Sequence, residues 1–457
     1  MRFGGGGSHE KKTFVPEFRI PMTEQTTRSQ ELLARRKAAI PNGVGMFNYA
    51  TAAKASGATI TDVDGRELID FAGGIGVVNA GHCPPPVVKA IQEQAEKFLH
   101  VSFNVASYEP YIALCEKLNA LLPHGQATKT LLVSTGAEAV ENAIKIARQA
   151  TGRQGVLCYT DAFHGRSMMA MTLTSKVGYK LGCGPFAPEV YRLQYPNVYR
   201  YANGRSVDEF AKAELARLEE AMQNSIDVND LAAIIIEVVQ GEGGFNVAPA
   251  AYLKGLREFC TKHGVMLIFD EVQAGFGRTG AWSAYEHFGI TPDISTWAKS
   301  LGSGLPIGAV MGRAEIMDKA GPSTIGGTYI GSPVSCAAAL ATLKYMEEID
   351  INAKGRHVGE VIHTRFEGWK KKHAQIGDVR GLGAMLAIEF VKNGDPLRPD
   401  ADTCTALMNA CAKRDLILIT AGTHKNVIRV LCPLVIDDAT LNKGLDIMEE
   451  ELAKICV

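Results

Sequence analysis

Short apolar runs alternate with amphipathic, helix-like stretches between about residues 129 and 313. The runs are rich in β-branched residues, which is typical of strands that are buried on both faces. The segments that contain them are 129–135, 155–161, 231–241, 264–272, 293–299 and 307–313. Strands separated by helices favour a mainly parallel sheet with helices on both faces. The sequence therefore predicts an α/β fold for this part of the chain.

The chain after about residue 345 follows a different pattern. Apolar runs within 378–391, 415–420 and 426–436 predict a mixed sheet. The stretch DDATLNKGLDIMEEELAKIC then predicts an amphipathic helix, with Asp437 or Asp438 as its N-cap. We therefore expect a smaller α+β domain here.

These patterns predict four regions. Residues 1–20 contain GGGGS and are expected to form a flexible tail or linker. Residues 21–80 contain early strands and are expected to pack with the smaller domain. The large domain is placed at 81–345, and the smaller domain at 346–457. The smaller domain would thus draw on both chain ends.

Composition excludes several classes of protein. The 457 residues are 46% hydrophobic and carry a net charge of −1, so no basic footprint indicates nucleic-acid binding. No apolar run approaches the ~18 residues of a membrane span. The ten cysteines include no C-x-x-C pair and no zinc spacing. We therefore expect no metal, no membrane, and reduced thiols in the cytoplasm.

Polar residues end most of the predicted strands. In an open α/β sheet, ligands bind at the carboxyl ends of the strands. If the sheet prediction holds, these residues converge on one edge, which makes that edge the candidate site. The residues are Thr135, Asp161, Glu237, Glu242, Asp270, Gln273 and Lys299.

Lys299 and Asp270 are the most informative members of this set. Lys299 ends DISTWAK among small and apolar residues, where desolvation would lower the pKa of its amine. A neutral amine is what Schiff-base chemistry needs. Asp270 ends MLIFD, and a buried carboxylate there needs a cationic partner or strong donors. One strand–helix–strand crossover separates the two, so they can occupy neighbouring strand ends.

Two further segments add binding groups. STGAEAVENAIKIAR, residues 134–148, places Gly136 at a helix start, where backbone amides and the helix dipole favour a phosphate. DAFHGR, residues 161–166, offers Phe163 to stack on a flat ring and Arg166 to bind a carboxylate. A phosphate, a flat ring with a protonated nitrogen and a Schiff-base lysine together indicate pyridoxal 5′-phosphate (PLP).

The same residues carry a family resemblance. From about residue 40 to the C-terminus the chain resembles the class III (subgroup II) aminotransferases, and within them it is most similar to the bacterial 4-aminobutyrate enzymes. The motifs are STGAEAVENAIKIAR, FHGR, EVVQGEGGFNVAP, IFDEVQAGFGRTG, WAKSLGSGLPIGAV, GGTYIGSP and NVIRVLCPL. This resemblance implies a PLP-dependent transferase of fold type I. It also implies a homodimer, possibly a dimer of dimers, with its active site at the subunit interface.

The resemblance implies catalytic roles for Lys299 and Asp270 and a cofactor-binding role for Gln273. Lys299 would hold PLP through a Schiff base and then act as general base and acid. Asp270 would pair with the pyridine nitrogen and keep it protonated, and Gln273 would hydrogen-bond the ring hydroxyl.

It also implies how the rest of the cofactor is bound. Val272 and Phe163 would enclose the two faces of the ring. Gly136 and Ala137 would bind the phosphate, and Thr328 would reach that phosphate from the other subunit.

Four residues would bind substrate by the same resemblance. Arg166 would bind the terminal carboxylate of the amino donor, and Arg429 the α-carboxylate of glutamate or 2-oxoglutarate. Glu242 would pair with Arg429 while the donor is bound, and Ile75 would contact substrate.

The predicted activity is transamination of an ω-amino acid. The best candidate reaction converts 4-aminobutyrate and 2-oxoglutarate to succinate semialdehyde and L-glutamate. 5-Aminovalerate is the next donor, because one methylene changes discrimination by only ~1–3 kcal/mol. An ornithine-type aminotransferase, an epimerase of the same fold and a catalytically silent ligand-binding protein are the alternatives.

Overall fold

A computed structural model describes residues 26–456 of the chain. The predicted tail at residues 1–20 lies outside the described residues. Contacts divide the chain into two units, the first ending at Gly45. In the first unit, helix α1 (Arg28–Ala39) begins with a capping box. The Thr27 side chain accepts a hydrogen bond from the Gln30 backbone, and the Gln30 side chain accepts one from the Thr27 backbone.

The second unit contains strands in three sheets and the remaining helices. The strands are β1 (Lys54–Ser56), β2 (Thr59–Thr61), β3 (Glu67–Asp70), β4 (Thr128–Val133), β5 (Gly155–Tyr159), β6 (Val190–Leu193), β7 (Leu231–Ile236), β8 (Met266–Asp270), β9 (Ile294–Trp297), β10 (Gly308–Arg313), β11 (Ile376–Leu382), β12 (Met385–Phe390), β13 (Leu416–Ile417), β14 (Ile419–Ala421) and β15 (Val427–Val430).

The helices follow the same chain order. They are α2 (Gly73–Gly76), α3 (Pro85–Lys97), α4 (Glu109–Leu121), α5 (Gly136–Thr151), α6 (Met168–Leu173), α7 (Val198–Tyr201), α8 (Val207–Asn224), α9 (Ala250–His263), α10 (Ala314–Met317), α11 (Pro333–Glu348), α12 (Ile351–Lys372), α13 (Ala401–Ala412) and α14 (Asp438–Ile455). No helix within residues 26–456 has both the length and the apolar character that a membrane crossing needs.

The largest sheet has seven strands in the order β4-β10-β9-β8-β7-β5-β6. The five strands from β9 to β6 pair in parallel, whereas β10 is antiparallel to both of its neighbours. The predicted mainly parallel sheet is therefore confirmed. The sequence analysis missed β6, an edge strand whose four residues VYRL are all only partly buried and form no long apolar run.

Residues of β7 show why the central strands are apolar throughout. All six residues of this strand are buried. Ile234 and Ile236 belong to one hydrophobic cluster, which includes Leu253 of α9. Their neighbour Ile235 belongs to a second cluster, which includes Ile144 of α5. Successive side chains on a strand point to opposite faces, so helices cover both faces of this sheet.

The two smaller sheets have the orders β1-β2-β3-β13 and β11-β12-β15-β14. Strand β3 from the N-terminal part pairs in parallel with β13 from the C-terminal part. The predicted single run at 415–420 divides at Leu418, so that β13 joins one sheet and β14 joins the other. The predicted helix after Asp437 is α14, with Asp437 as its N-cap. The domain boundary near residue 345 stays a prediction.

Helix α2 is a single turn in which all four residues have a positive φ. The values are 52° for Gly73, 62° for Gly74, 68° for Ile75 and 71° for Gly76. A β-branched residue rarely adopts this conformation, so Ile75 is strained. The turn packs closely on the chain after β15, because a Cβ at Gly73 would lie 2.2 Å from the carbonyl oxygen of Leu431.

We predict that Gly73→Ala destabilises the protein by roughly 3 kcal/mol, because strain and a backbone clash add. Gly57 is a matched control, since its φ is 55° but nothing lies within 4 Å of a Cβ there. Gly57→Ala should cost only about 1 kcal/mol. Urea unfolding measures the free energy of unfolding that each variant loses. Equal losses in the two variants would contradict the expected clash with Leu431.

Candidate active site

The carboxyl ends of three neighbouring strands, β7, β8 and β9, open into a pocket of about 500 Å³. Nine of the predicted site residues line it: Gly136, Ala137, Phe163, Arg166, Glu242, Asp270, Val272, Gln273 and Lys299. The strand-end prediction therefore placed most of the chosen residues at one site.

Lys299 follows β9 and begins a short 3-10 turn with a φ of 49°. Burial lowers the pKa of its amine from 10.5 to about 8, while Glu242 opposes that change. Ser300 holds the turn in place by donating to the carbonyl oxygen of Gly76, 3.1 Å away. The amine is thus far easier to deprotonate than that of an ordinary lysine.

Asp270 ends β8, is 5% exposed and has three donors. His164 Nδ1 lies 2.7 Å from its Oδ2, while the Thr296 hydroxyl and the Val272 backbone N–H each donate to its Oδ1 over 3.1 Å. These bonds fix the carboxylate at the pocket wall. The other ring nitrogen of His164, Nε2, is buried and has no partner within the described chain.

The start of α5 forms the next part of the pocket. Thr135 is the N-cap of α5 and accepts a hydrogen bond from the Glu138 backbone. A Cβ at Gly136 would lie 3.0 Å from Val272 Cγ1, so only glycine leaves the space between the helix start and Val272 open. Backbone amides at such a helix start bind phosphate.

Phe163 occupies the wall next to α5. Its backbone N–H donates to Glu237 Oε2 over 3.0 Å, and Gly241 donates to the other oxygen of Glu237 over 2.9 Å. Burial raises the pKa of Glu237 to about 7. The ring of Phe163 meets the ring of Tyr179 edge-on, with centroids 5.2 Å apart.

The two predicted substrate arginines differ in position: Arg166 lines the pocket, whereas Arg429 does not line it but contacts Glu242 and Gln273, which do. Arg429 on β15 is fully buried, and its Nη1 lies 2.6 Å from Glu242 Oε1. The same Nη1 donates to the Gly241 carbonyl over 3.2 Å and to Gln273 Oε1 over 3.3 Å. Burial would raise the pKa of Glu242, but Arg429 holds that pKa below its ordinary value. Arg166 is exposed and has no salt bridge within residues 26–456.

Three predicted site residues do not line the pocket of this chain: Arg429, Ile75 and Thr328. Ile75 is in the strained turn of α2, whose Gly76 packs against Leu431 and Gln273. Thr328 is exposed and does not line the pocket.

The sequence analysis did not assign roles to His164, Thr296 or Tyr179. His164 stands inside the quoted FHGR motif directly after a strand end, and that position was a usable signal. The sequence around Thr296 and Tyr179 contains no such signal. Only the fold brings Thr296 to Asp270 and Tyr179 to Glu242.

Comparisons with known proteins decide the family. The sequence model of class-III aminotransferases matches residues 39–452. The chain belongs to this family. It is 47% identical over 428 residues to the 5-aminovalerate aminotransferase DavT of Pseudomonas putida, covering 93% of this chain and 99% of that protein. It is 45% identical over 423 residues to the 4-aminobutyrate aminotransferase GabT of Escherichia coli, covering 92% and 98%.

Solved structures agree on the fold. Taurine:2-oxoglutarate aminotransferase from Bifidobacterium kashiwanohense, in complex with PLP and glutamate, has a TM-score of 0.86 at 27% identity and covers 95% of this chain and 99% of that one. An (S)-enantioselective ω-transaminase from Thermomicrobium roseum has a TM-score of 0.85 at 30% identity, with coverage of 94% and 99%. The chain is a PLP-dependent aminotransferase of fold type I.

The pocket fits this cofactor. It combines an easily deprotonated lysine, a fixed carboxylate and a glycine at a helix start. In addition, the Gln273 Nε2 donor is buried and has no partner within the described chain, although the residue lines the pocket. A polar group on a bound ring would satisfy such a donor.

We predict that Lys299 in the cofactor-free protein reacts with an amine label half-maximally near pH 8. The reason is its lowered pKa, which leaves the nucleophilic neutral amine more abundant at any given pH. Reductive methylation followed by peptide mass spectrometry measures the profile, with a lysine model peptide of pKa ~10.4 as reference. A midpoint near pH 10 would show that the amine is not desolvated.

Proposed function

We propose that this aminotransferase transfers the amine of 4-aminobutyrate to 2-oxoglutarate and forms succinate semialdehyde and L-glutamate. The observation that carries the proposal is the ion pair between the pocket residue Glu242 and the buried Arg429, in a pocket that is also lined by Arg166, which has no salt bridge within residues 26–456. The similarity to 4-aminobutyrate and 5-aminovalerate aminotransferases supports the same substrate class.

When bound, PLP supplies a carbonyl carbon that takes up the amine and an electron sink for the bonding pair released at the substrate carbon. Lys299 would hold the cofactor between turnovers, and its Nζ would then take the proton from the amine-bearing carbon of the donor and deliver it to the cofactor carbon that takes up the amine. A pKa of about 8 suits both tasks near neutral pH, because the amine can readily gain or lose a proton.

The other pocket residues bind and orient. Asp270 would accept a hydrogen bond from the protonated ring nitrogen, while its bonds to His164 and Thr296 keep the carboxylate in position. Gln273 would donate its Nε2 to the ring hydroxyl. The backbone at Gly136 and Ala137 would bind the phosphate, and Phe163 and Val272 would enclose the ring, because all four residues line the pocket.

Two carboxylate sites explain how one pocket accepts two substrates. Arg166 binds the terminal carboxylate of the donor, which has only one. During that step Glu242 neutralises Arg429, so the donor carboxylate is not drawn to the wrong end. 2-Oxoglutarate brings a second carboxylate that would take the place of Glu242 on Arg429, and the resemblance to the family implies that Ile75 contacts the substrate.

5-Aminovalerate is the second candidate donor. The two relatives named as 5-aminovalerate aminotransferases are 47% and 48% identical to this chain, against 45% for two named for 4-aminobutyrate. One methylene changes transition-state binding by only about 1–3 kcal/mol. Both donors use the same pocket groups.

The deciding experiment is a half-reaction without keto acid. We expect 4-aminobutyrate to bleach the absorbance band of the PLP-loaded protein, and 2-oxoglutarate to restore it. Lys299→Ala is the control, because it should fold normally but lose turnover. If 5-aminovalerate or ornithine bleaches the band and 4-aminobutyrate does not, the donor assignment is wrong.

We also propose that the enzyme is a homodimer, or a dimer of such dimers, in the cytoplasm. Thr328 adjoins Tyr329, which is 70% exposed and whose ring lies 5.1 Å from that of His100. Leu99 and Val105 nearby are 64% and 83% exposed. A second copy that covers this apolar surface would bring Thr328 to a phosphate across the interface. All ten cysteines are free, which supports a reducing compartment.

We predict that Val105→Asp yields monomers in sedimentation equilibrium and weakens PLP binding together with dimerisation. Thr328→Val should leave the dimer intact but weaken PLP binding by roughly tenfold, through loss of one hydrogen bond to a charged group. A dimer of Thr328→Val that binds PLP as tightly as the wild type would remove Thr328 from the site.

A further inference from the structure

The proposed function requires Glu242 to leave Arg429 each time a dicarboxylate binds. In the described structure Glu242 is mostly buried, with its side chain 14% exposed. A carboxylate that leaves its partner in such a place costs several kcal/mol unless another donor receives it. The switch therefore needs a second position for the Glu242 side chain.

A donor already stands on the other side of Glu242. The hydroxyl of Tyr179 donates to Glu242 Oε2 over 3.4 Å, while Arg429 is bonded to Oε1. Tyr179 is held by its edge-on contact with Phe163. Burial, followed by the neighbouring Glu242, raises the pKa of this hydroxyl, so it remains protonated and able to donate.

A cation lies over the ring of Tyr179. Lys176 Nζ is 5.6 Å from the centre of that ring and donates to the Gly422 carbonyl over 3.2 Å. Gly422 in turn donates its backbone N–H to the carbonyl oxygen of Glu242 over 2.9 Å. Lys176 is partly buried and has no salt bridge within residues 26–456. It is therefore a cation with no salt-bridge partner among these residues, and it interacts electrostatically with the carboxylate that must move.

We propose that Lys176 and Tyr179 form the second position of the Glu242 side chain and receive its carboxylate when a dicarboxylate occupies Arg429. This inference rests on the proposed function. Both residues act through Glu242 and are therefore positioning residues. Substituting either residue should therefore weaken the binding of a ligand that displaces Glu242 from Arg429. It should not affect a ligand that leaves the Glu242–Arg429 ion pair intact.

Two unreactive ligands separate these cases. Glutarate has the two carboxylates of 2-oxoglutarate but no carbonyl, and butyrate has the single carboxylate of the donor. Their dissociation constants are measured by calorimetry on protein loaded with pyridoxamine phosphate. Lys176→Met and Tyr179→Phe should each raise the dissociation constant of glutarate by about tenfold and that of butyrate by less than about twofold.

Two further variants control for charge and for folding. Lys176→Arg should restore most of the glutarate affinity, because the cation is retained. Lys180→Met removes a lysine of the same segment whose ammonium lies over the Phe186 ring, and it should leave both affinities unchanged. A loss of glutarate affinity in Lys180→Met as large as that in Lys176→Met would overturn the proposal.

A double-mutant cycle tests whether Lys176 acts through Glu242. In a Glu242→Gln background residue 242 has no carboxylate for Lys176 to receive. Lys176→Met should therefore no longer reduce the affinity for glutarate. An equal loss of glutarate affinity in the wild-type and Glu242→Gln backgrounds means that Lys176 binds the ligand itself. That result overturns this inference but leaves the proposed function intact. A wild-type protein that binds glutarate no more tightly than butyrate overturns the acceptor assignment, and the inference with it.

Discussion

A charge that is removed from water must have a partner, and the pocket is organised by that requirement. Asp270 is held by His164, Thr296 and the backbone of Val272, while Glu242 and Arg429 neutralise each other. Lys299 has no such salt bridge within residues 26–456, and its amine meets the requirement by a lowered pKa instead. The same physical cost thus fixes three side chains and makes the fourth reactive.

The order of the strands brings these groups together. Strands β7, β8 and β9 are neighbours in the central sheet and run in the same direction. Asp270 ends β8, Lys299 follows β9, and Glu237 follows β7 directly. Because parallel strands end at one edge, groups that are far apart in sequence meet there without any long loop. The pocket is therefore a direct product of the parallel topology.

Much of this site could be predicted because its signals are local. An apolar run followed by a polar residue identified Asp270 and Lys299, and a capped helix start identified Gly136. Contacts between segments that are far apart in the chain produce no such local signal in the sequence. Examples are the bond of Thr296 to Asp270, the antiparallel insertion of β10 between β4 and β9, and the division of one apolar run at Leu418. The proposed role of Thr328 requires a second copy of the chain, and the domain boundary stays a prediction.

The pairing of β3 with β13 has a consequence for how the protein is made. Ile69 of β3 lies opposite Leu416, and the turn that contains Ile75 packs on Leu431. A ribosome releases the N-terminal partner long before the C-terminal one, so the early strands cannot complete their sheet while the chain is growing. The ion pair between Glu242 and Arg429 of β15 must consequently form after synthesis of almost the whole chain. A nascent chain that ends before β13 therefore cannot form the complete pocket, even if its large sheet has already formed.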